Sequence, residues 1–285
     1  MPAKLIINSD DFGFSSAVNS AVLKARRDGV LTSASLMVAG DAANEAISIA
    51  HDDPALAVGL HLTLSRDKSV LPKQRIPDLV DEQSRFETDP TRASLNYFFS
   101  PRARKQLKDE IKAQFEAFTN TGLALSHVDG HQHLHAHPVV IPIVIELALK
   151  YGAYGIRVPR DPIPANIRAD RSCPGSKLIV ALGHAYLARM CRRLLKNTDL
   201  ARCDLSIGGL MSGNMSDDYV MKMLNSVHAK SIEIYFHPSN ASQSDPFGPN
   251  PNDLDALLSP RLKDFIAKNG YELTNYAGLK AIRFN

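Results

Sequence analysis

Residues 4–27 read KLIINSDDFGFSSAVNSAVLKARR and contain one complete strand–turn–helix unit. The apolar run Lys4–Asn8 is typical of a buried strand, and Ser16–Arg27 repeats its apolar residues at helical spacing. A strand that leads directly into a helix is the repeating unit of parallel α/β sheets. This stretch therefore predicts an α/β fold.

The same alternation continues along the chain and gives roughly seven units, which is close to a (β/α) barrel. Further strands are predicted at Thr32–Val38, Leu56–Leu60, Leu123–Val128, Gly155–Val158, Asp204–Ile207 and Ser231–Phe236. Further helices are predicted at Ala42–His51, Leu107–Phe118, Val139–Lys150, Lys177–Lys196, Asp217–His228 and Asp253–Asn269. We predict a single domain over residues 1–285, with a proline-containing excursion at residues 65–102.

The composition excludes several classes of protein. The chain has 285 residues, 44% of them hydrophobic. Its net charge of +3 is too small to indicate binding to nucleic acid. The three cysteines, Cys173, Cys191 and Cys203, predict reduced thiols rather than a disulfide framework. Because no segment has the pattern of a secretion signal or of a membrane span, we expect a cytoplasmic protein.

Two clusters of polar side chains follow predicted strands. Five of the ten histidines lie within His127–His137, which predicts a metal site, with a solvated loop or a metal-storage tract as the alternative. Asp10 and Asp11 follow the first strand, where one carboxylate can bind an ion while the other acts as a base. A helix cap or a turn is the alternative for this pair.

The carboxyl ends of parallel strands converge on one face of a barrel. A lone histidine at a strand end more often belongs to the core or the rim, but recurrence at five strand ends favours a shared site. The residues expected to meet there are Asp10, Asp11, His61, His131, Arg157 and His237.

The chain resembles the YdjC-type carbohydrate deacetylases, over nearly its whole length. The motifs that carry the resemblance are Asp10-Asp11-Phe12-Gly13, Gly59-Leu60-His61-Leu62, His127-x-Asp129-x-His131-x-His133-x-His135 and His237-Pro238. Residues 78–81, 98–102 and 114–118 are most similar to the branch associated with hopanoid biosynthesis. The chain departs from the commoner pattern at Gln132, where many relatives have a histidine.

The resemblance implies an irregular (β/α) barrel related to polysaccharide deacetylases, and a metal-dependent N-deacetylase that hydrolyses an acetamide. In this pattern Asp11, His61 and His131 hold one divalent ion, with zinc or magnesium expected, and Asp10 is the catalytic base. Two imidazoles and one carboxylate leave coordination positions open, as catalysis requires.

The resemblance also implies supporting roles at the same site. His237 would protonate the leaving amine, and Arg157 would orient Asp10 or hold its negative charge, with Arg160 as the competing candidate. His127 or His133 is expected to hydrogen-bond to ligands or to substrate.

The hopanoid branch implies an N-acetylglucosaminyl bacteriohopanepolyol as substrate, and a soluble chitooligosaccharide such as diacetylchitobiose is the alternative. The excursion at 65–102 is expected to decide between them. A lipid-linked substrate predicts peripheral contact with the inner membrane surface, through Tyr97–Phe99 and the basic residues after it, or through the basic helix at 187–196. The alternative is that these apolar residues belong to the core.

Two other functions compete with a deacetylase. A phosphoesterase would need a second carboxylate-rich motif for a two-metal site, and the sequence has none. A non-catalytic metal-binding protein would bind ions through His127–His137 alone, and Asp11 and His61 would then be irrelevant. The sequence does not predict the oligomeric state.

Overall fold

The computed structural model describes residues 2–169, 175–241 and 249–279. Cys191 and Cys203 are buried free thiols, as expected, and Cys173 lies outside the described residues. None of the helices in the described ranges is long and apolar enough to cross a membrane. A single domain over residues 1–285 stays a prediction.

Seven parallel strands form one curled sheet. They are β1 (Lys4–Phe12), β2 (Ser33–Leu36), β3 (Ala57–Leu62), β4 (His127–Gly130), β5 (Gly155–Ile156), β6 (Leu205–Ile207) and β7 (Ser231–Phe236), and β8 (Glu272–Leu273) pairs with the start of β1. The sheet order is β5-β4-β3-β2-β1-β7-β6. The outer strands approach each other through isolated bridges from Gly155 to Ala201 and from Arg160 to Ser206. The predicted irregular barrel of seven strands is confirmed.

Helices cover the outside of the sheet. They are α1 (Ser16–Asp28), α2 (Ala43–Asp52), α3 (Pro90–Phe99), α4 (Pro101–Asn120), α5 (Ile141–Lys150), α6 (Ile163–Ala169), α7 (Gly175–Leu194), α8 (Asp217–Ser226), α9 (Pro251–Leu258), α10 (Pro260–Lys268) and α11 (Tyr276–Leu279). The start of α1 shows why such helices form where they do. The Ser15 hydroxyl caps it by accepting a hydrogen bond from the Val18 N–H, and its apolar stripe is buried against the sheet.

Several predicted boundaries were wrong for identifiable reasons. The helix predicted at Asp253–Asn269 is two helices, because Pro260 lacks an N–H and starts a new helix that Ser259 caps. The helix predicted from Leu107 begins at Pro101, and α3 occupies the end of the excursion at 65–102. The fourth strand begins at His127 rather than at Leu123.

The interior of the barrel is polar, in contrast to the apolar layer between sheet and helices. Its buried side chains include Asn8, Ser35, His127, Asp129, Arg157 and Glu233. Because buried charged groups are unfavourable unless they are paired, these side chains form contacts with one another. This network supports the residues at the carboxyl ends of the strands.

Candidate active site

A bulge at the end of β1 brings two adjacent carboxylates to one site. The pairing with β2 shifts register between Ser9 and Phe12, and Asp11 has a φ of 61°, in the left-handed region. Neighbouring side chains of a regular strand point to opposite faces, so Asp10 and Asp11 would separate. The bulge allows both side chains to reach partners from other strands.

Three of the predicted residues form a cluster that fits a metal ion. The Asp11 Oδ1 atom lies 3.3 Å from His61 Nε2 and 3.0 Å from His131 Nδ1. Among the described residues, the buried Oδ2 atom of Asp11 has no hydrogen-bond partner. A buried carboxylate oxygen without a donor is unfavourable, and a cation held between these ligands would complete it.

Electrostatics favour the charged forms in this cluster. Burial opposes ionisation of Asp11, but His131 and His61 hold the pKa of its carboxyl well below the usual range. Burial likewise disfavours the imidazolium of His61, yet the charge of Asp129 and the contact with Asp11 raise the pKa of His61 to about 10. Since a metal ligand must be a neutral imidazole, ion binding would release the proton that His61 holds.

The predicted base candidate, Asp10, is held by a buried arginine. Arg157 places Nη1 2.7 Å from Asp10 Oδ2 and Nη2 2.7 Å from Oδ1. The side chain of Asn8 also donates to Asp10, at 2.9 Å. Arg160, the competing candidate, is exposed and donates to the carbonyl of Asp204 instead. The structure therefore pairs Asp10 with Arg157 and not with Arg160.

Arg157 lies between three carboxylates. Besides Asp10, it contacts Asp129 at 2.8 Å and Glu233 at 3.0 Å, and the ring of Tyr235 covers its guanidinium at 4.4 Å. Burial opposes its charge, but the three carboxylates raise the pKa of Arg157 well above its ordinary value. Its charge and its position are therefore both fixed by the barrel interior.

His237 approaches the same oxygen of Asp10 that Arg157 Nη1 contacts. Its Nε2 atom is 3.8 Å from Asp10 Oδ2, and its backbone N–H donates to the Asp253 carboxylate at 2.8 Å. The buried Nδ1 atom has no partner among the described residues. The structure thus brings all six predicted site residues to one end of the barrel.

The histidine-rich segment is not extended beyond β4. Residues His131–Ala136 form a short 3-10 helix, with left-handed backbone at Gln132 (φ 53°) and His133 (φ 59°). An extended segment would have kept these histidines on one face, because residues two apart share a face of a strand, and the turn separates them instead. The turn directs His131 alone towards Asp11, which explains how one histidine of the cluster joins the candidate metal site.

The other clustered histidines contact protein groups. His133 Nε2 lies 2.9 Å from the Tyr235 hydroxyl, and His135 Nε2 lies 3.0 Å from the Arg157 carbonyl oxygen. Burial lowers the pKa of His135 to about 4, so this imidazole is neutral over the physiological range. His127 lies inside the barrel, where its ring stacks on Tyr276 at 4.7 Å.

Three residues of this network had no role assigned from the sequence. Asp129 contacts both His61 and Arg157, Ser35 donates to Asp129, and Glu233 contacts Arg157. A signal for Glu233 was present, because it is the one charged residue in the apolar run Ser231–Phe236. A charge in a strand buried on both faces needs a buried partner.

Comparisons with known proteins match this chain over most of its length. A family model described as YdjC-like protein matches residues 4–268. A carbohydrate deacetylase of Vibrio parahaemolyticus is 30% identical over 283 residues, covering 97% of this chain and 96% of that protein. A carbohydrate deacetylase of Brevibacillus brevis is 40% identical over 148 residues, which span 52% of this chain and 56% of that protein.

One solved structure shares the fold over nearly the whole chain. A protein of Enterococcus faecalis V583, provisionally named for cellobiose-phosphate cleavage, superposes with a TM-score of 0.76 at 24% identity, over 98% of this chain and 99% of that one. A family 4 carbohydrate esterase of Streptomyces lividans is a more distant neighbour, with a TM-score of 0.43 at 10% identity, over 95% of this chain and 91% of that one.

Proposed function

The chain belongs to the YdjC-like family, and on that premise we propose that it is a metal-dependent carbohydrate N-deacetylase acting on an N-acetylglucosaminyl substrate. One observation carries the proposal. A cluster that fits a divalent ion, Asp11 with His61 and His131, lies beside a second carboxylate, Asp10, that is not part of that cluster and is held by Arg157. A metal-dependent amide hydrolase uses both an ion and a base that is not among the ligands.

The metal ligands and the base have separate roles in the reaction. Asp11, His61 and His131 hold the ion, which when bound supplies Lewis acidity towards water and the acetamide carbonyl. Asp10 takes the proton of the attacking water, and Arg157 holds both of its oxygens in position for that transfer.

The leaving group needs a proton of its own. His237 delivers that proton to the amine nitrogen as the C–N bond breaks. The proton that Asp10 took from water then passes to His237, whose Nε2 atom lies 3.8 Å from Asp10 Oδ2. The products are acetate and a free amino sugar.

The test compares acetate release and zinc content in wild type, Asp10→Ala and Asp11→Ala. We expect acetate from wild type only, with zinc retained in Asp10→Ala and lost in Asp11→Ala. A wild type that releases phosphate from phosphoesters, and no acetate, would support the phosphoesterase instead. Full zinc content in Asp11→Ala and His61→Ala would support metal storage by the histidine segment.

For the substrate we propose N-acetylglucosaminyl bacteriohopanepolyol, with diacetylchitobiose as the alternative, and the relatives named carbohydrate deacetylases are compatible with either sugar. Support for the lipid comes from the exposed apolar residues of α3 on the excursion, where Leu95 is 52%, Phe98 44% and Phe99 71% exposed. Tyr97, which was expected in this contact, is buried and donates a hydrogen bond to the Leu64 carbonyl instead. The Phe98 ring lies 6.3 Å from that of His137, so this patch adjoins the histidine segment. A panel of both acetamides, compared by kcat/KM, decides between them.

The same patch is our proposed site of peripheral contact with the cytoplasmic surface of the inner membrane. The basic helix predicted at 187–196 offers less support. Leu187 and Met190 pack against the core and Leu195 is fully buried, so that Leu194, at 44%, is the exposed one of its four apolar candidates. We expect co-sedimentation with anionic vesicles to decrease in Phe99→Ser and to persist in Leu149→Ser, which changes a 49% exposed leucine on α5. Equal binding of both variants, or no binding by wild type at any salt concentration, would contradict the proposal.

A further inference from the structure

Asp129 is a buried carboxylate that contacts both parts of the candidate site, the metal ligands and the base. We infer that Asp129 is a positioning residue that orients the metal ligand His61 and the guanidinium of Arg157 together. The part of this inference that concerns Arg157 and Asp10 rests on the proposed function. The part that concerns His61 rests on the chemistry of the ligand cluster alone.

The contact with His61 fixes which ring nitrogen faces the metal cluster. Asp129 Oδ1 accepts a hydrogen bond from His61 Nδ1 at 2.9 Å, while His61 Nε2 lies 3.3 Å from Asp11 Oδ1. A proton kept on Nδ1 leaves the lone pair at Nε2, on the side of Asp11 and His131. Asp129 therefore selects the tautomer in which His61 is able to bind an ion.

The other oxygen of Asp129 holds Arg157. Asp129 Oδ2 accepts from Arg157 Nη2 at 2.8 Å and from the Ser35 hydroxyl at 2.7 Å. The same Nη2 atom donates to Asp10 Oδ1 at 2.7 Å. One fully buried carboxylate thus connects the ligand His61 to the base Asp10 through Arg157.

Glu233 provides a matched control, because it contacts the same arginine without reaching a ligand. Its Oε1 atom lies 3.0 Å from Arg157 Nε, and its Oε2 atom accepts from the hydroxyls of Ser206 and Tyr276. Glu233 is as deeply buried as Asp129 and carries the same charge. Neutralising either one removes a partner of Arg157, but only the change at Asp129 alters the partner of His61.

The change Asp129→Asn has a defined structural consequence. On its Oδ2 side the residue meets two donors, Arg157 and Ser35, and on its Oδ1 side it meets only His61. The amide oxygen is therefore expected to face the two donors, which turns the NH2 group towards His61 Nδ1. The proton of neutral His61 then moves to Nε2 and blocks the lone pair that an ion needs.

The experiment titrates metal-free wild type, Asp129→Asn and Glu233→Gln with zinc, and assigns the His61 tautomer in the zinc-loaded proteins by 15N NMR. We expect zinc affinity to fall about 10- to 100-fold in Asp129→Asn, as for other residues that orient metal-bound histidines, and to stay at the wild-type value in Glu233→Gln. Equal losses in both variants would overturn the inference, since they would reflect general damage to the barrel interior.

Wild type alone supplies a second test, which does not depend on how well the variants fold. We expect the Nδ1 atom of His61 to carry the proton in the zinc-loaded protein, and a proton on Nε2 would overturn the inference. Neither readout requires substrate. If wild type releases no acetate, the proposed function fails, while zinc affinity and the tautomer still decide whether Asp129 positions His61.

Discussion

Arg157 contacts both carboxylate oxygens of Asp10, with 2.7 Å between the atoms of each pair. A planar guanidinium bridges two oxygens at once, whereas an ammonium is a single point charge. The orientation of Asp10 therefore depends on arginine chemistry and not only on positive charge.

We expect Arg157→Lys to lower kcat for acetate release by about 100-fold, because a misplaced base loses its alignment with the attacking water. Zinc content, measured by elemental analysis, should stay at one ion per chain. The control is Arg160→Lys, three residues away, which changes an exposed side chain that has no contact with Asp10. If the two variants lose activity equally, Arg157 does not act through Asp10.

Metal removal should lower thermal stability through the ligand cluster. An ion that binds only the folded protein at 100 times its Kd adds about 2.7 kcal/mol to the free energy of unfolding. For a chain of 285 residues, that corresponds to an increase in Tm of roughly 4–5 °C. We expect zinc to raise the Tm of chelator-treated wild type by this amount and to leave Asp11→Ala unchanged, as measured by calorimetry. A similar increase in both proteins would place the stabilising ion elsewhere.

Asp161 predicts a dependence of stability on pH. It accepts hydrogen bonds from the N–H groups of Gly208 and Gly209, but burial raises the pKa of its carboxyl from 3.8 to about 6. Between these pH values the folded protein binds more protons than the unfolded chain does, so this group's contribution to stability falls as the pH rises from about 4 to about 6.

The variant Asp161→Asn isolates that contribution. Between pH 4 and pH 7, wild type should lose about 2–3 kcal/mol of unfolding free energy relative to Asp161→Asn. This follows from the rise in pKa at 1.36 kcal/mol per pKa unit. Urea unfolding at several pH values measures it. A difference that is constant with pH would show that Asp161 does not titrate in this window.

Two glycines should respond to alanine in opposite ways. A methyl group at Gly59 would lie 2.5 Å from the imidazole of His127, so Gly59→Ala should destabilise the fold by about 1–3 kcal/mol. A methyl group at Gly183 in α7 meets no described atom within 4 Å, so Gly183→Ala should stabilise by about 0.5–1 kcal/mol. Chemical denaturation measures both. If Gly59→Ala stabilised the protein as much as Gly183→Ala does, His127 would be free to move away from the added methyl group.

Hydrophobic periodicity was sufficient to predict most of the fold. All seven barrel strands lie within or overlap their predicted segments, because buried parallel strands are short apolar runs between helical patterns. Two features escaped this pattern. The strand β8 has only two exposed residues, Glu272 and Leu273, and the break before Pro260 falls inside a continuous amphipathic pattern. Neither produces a signal in hydrophobicity alone.

The candidate site was predictable to the extent that it depends on strand ends. Asp10, His61, His131, Arg157 and His237 could be placed together because parallel strands direct their carboxyl ends to one face. Their pairing could not be predicted, because it depends on side chains inside the barrel. The family resemblance selected His131 within the histidine segment and left Arg160 as a competitor of Arg157, and only the contacts of Asp10 decide between the two arginines.

The bulge at Asp11 combines a strained backbone with a side chain that the candidate metal site needs. A left-handed backbone at a residue other than glycine costs about 1–3 kcal/mol. Asp11→Gly would relieve that backbone, but it would also remove the contacts with His61 and His131 and the stabilisation that a bound ion adds. The strained backbone at this position therefore lowers stability only until an ion binds, and the metal-free protein bears its cost alone.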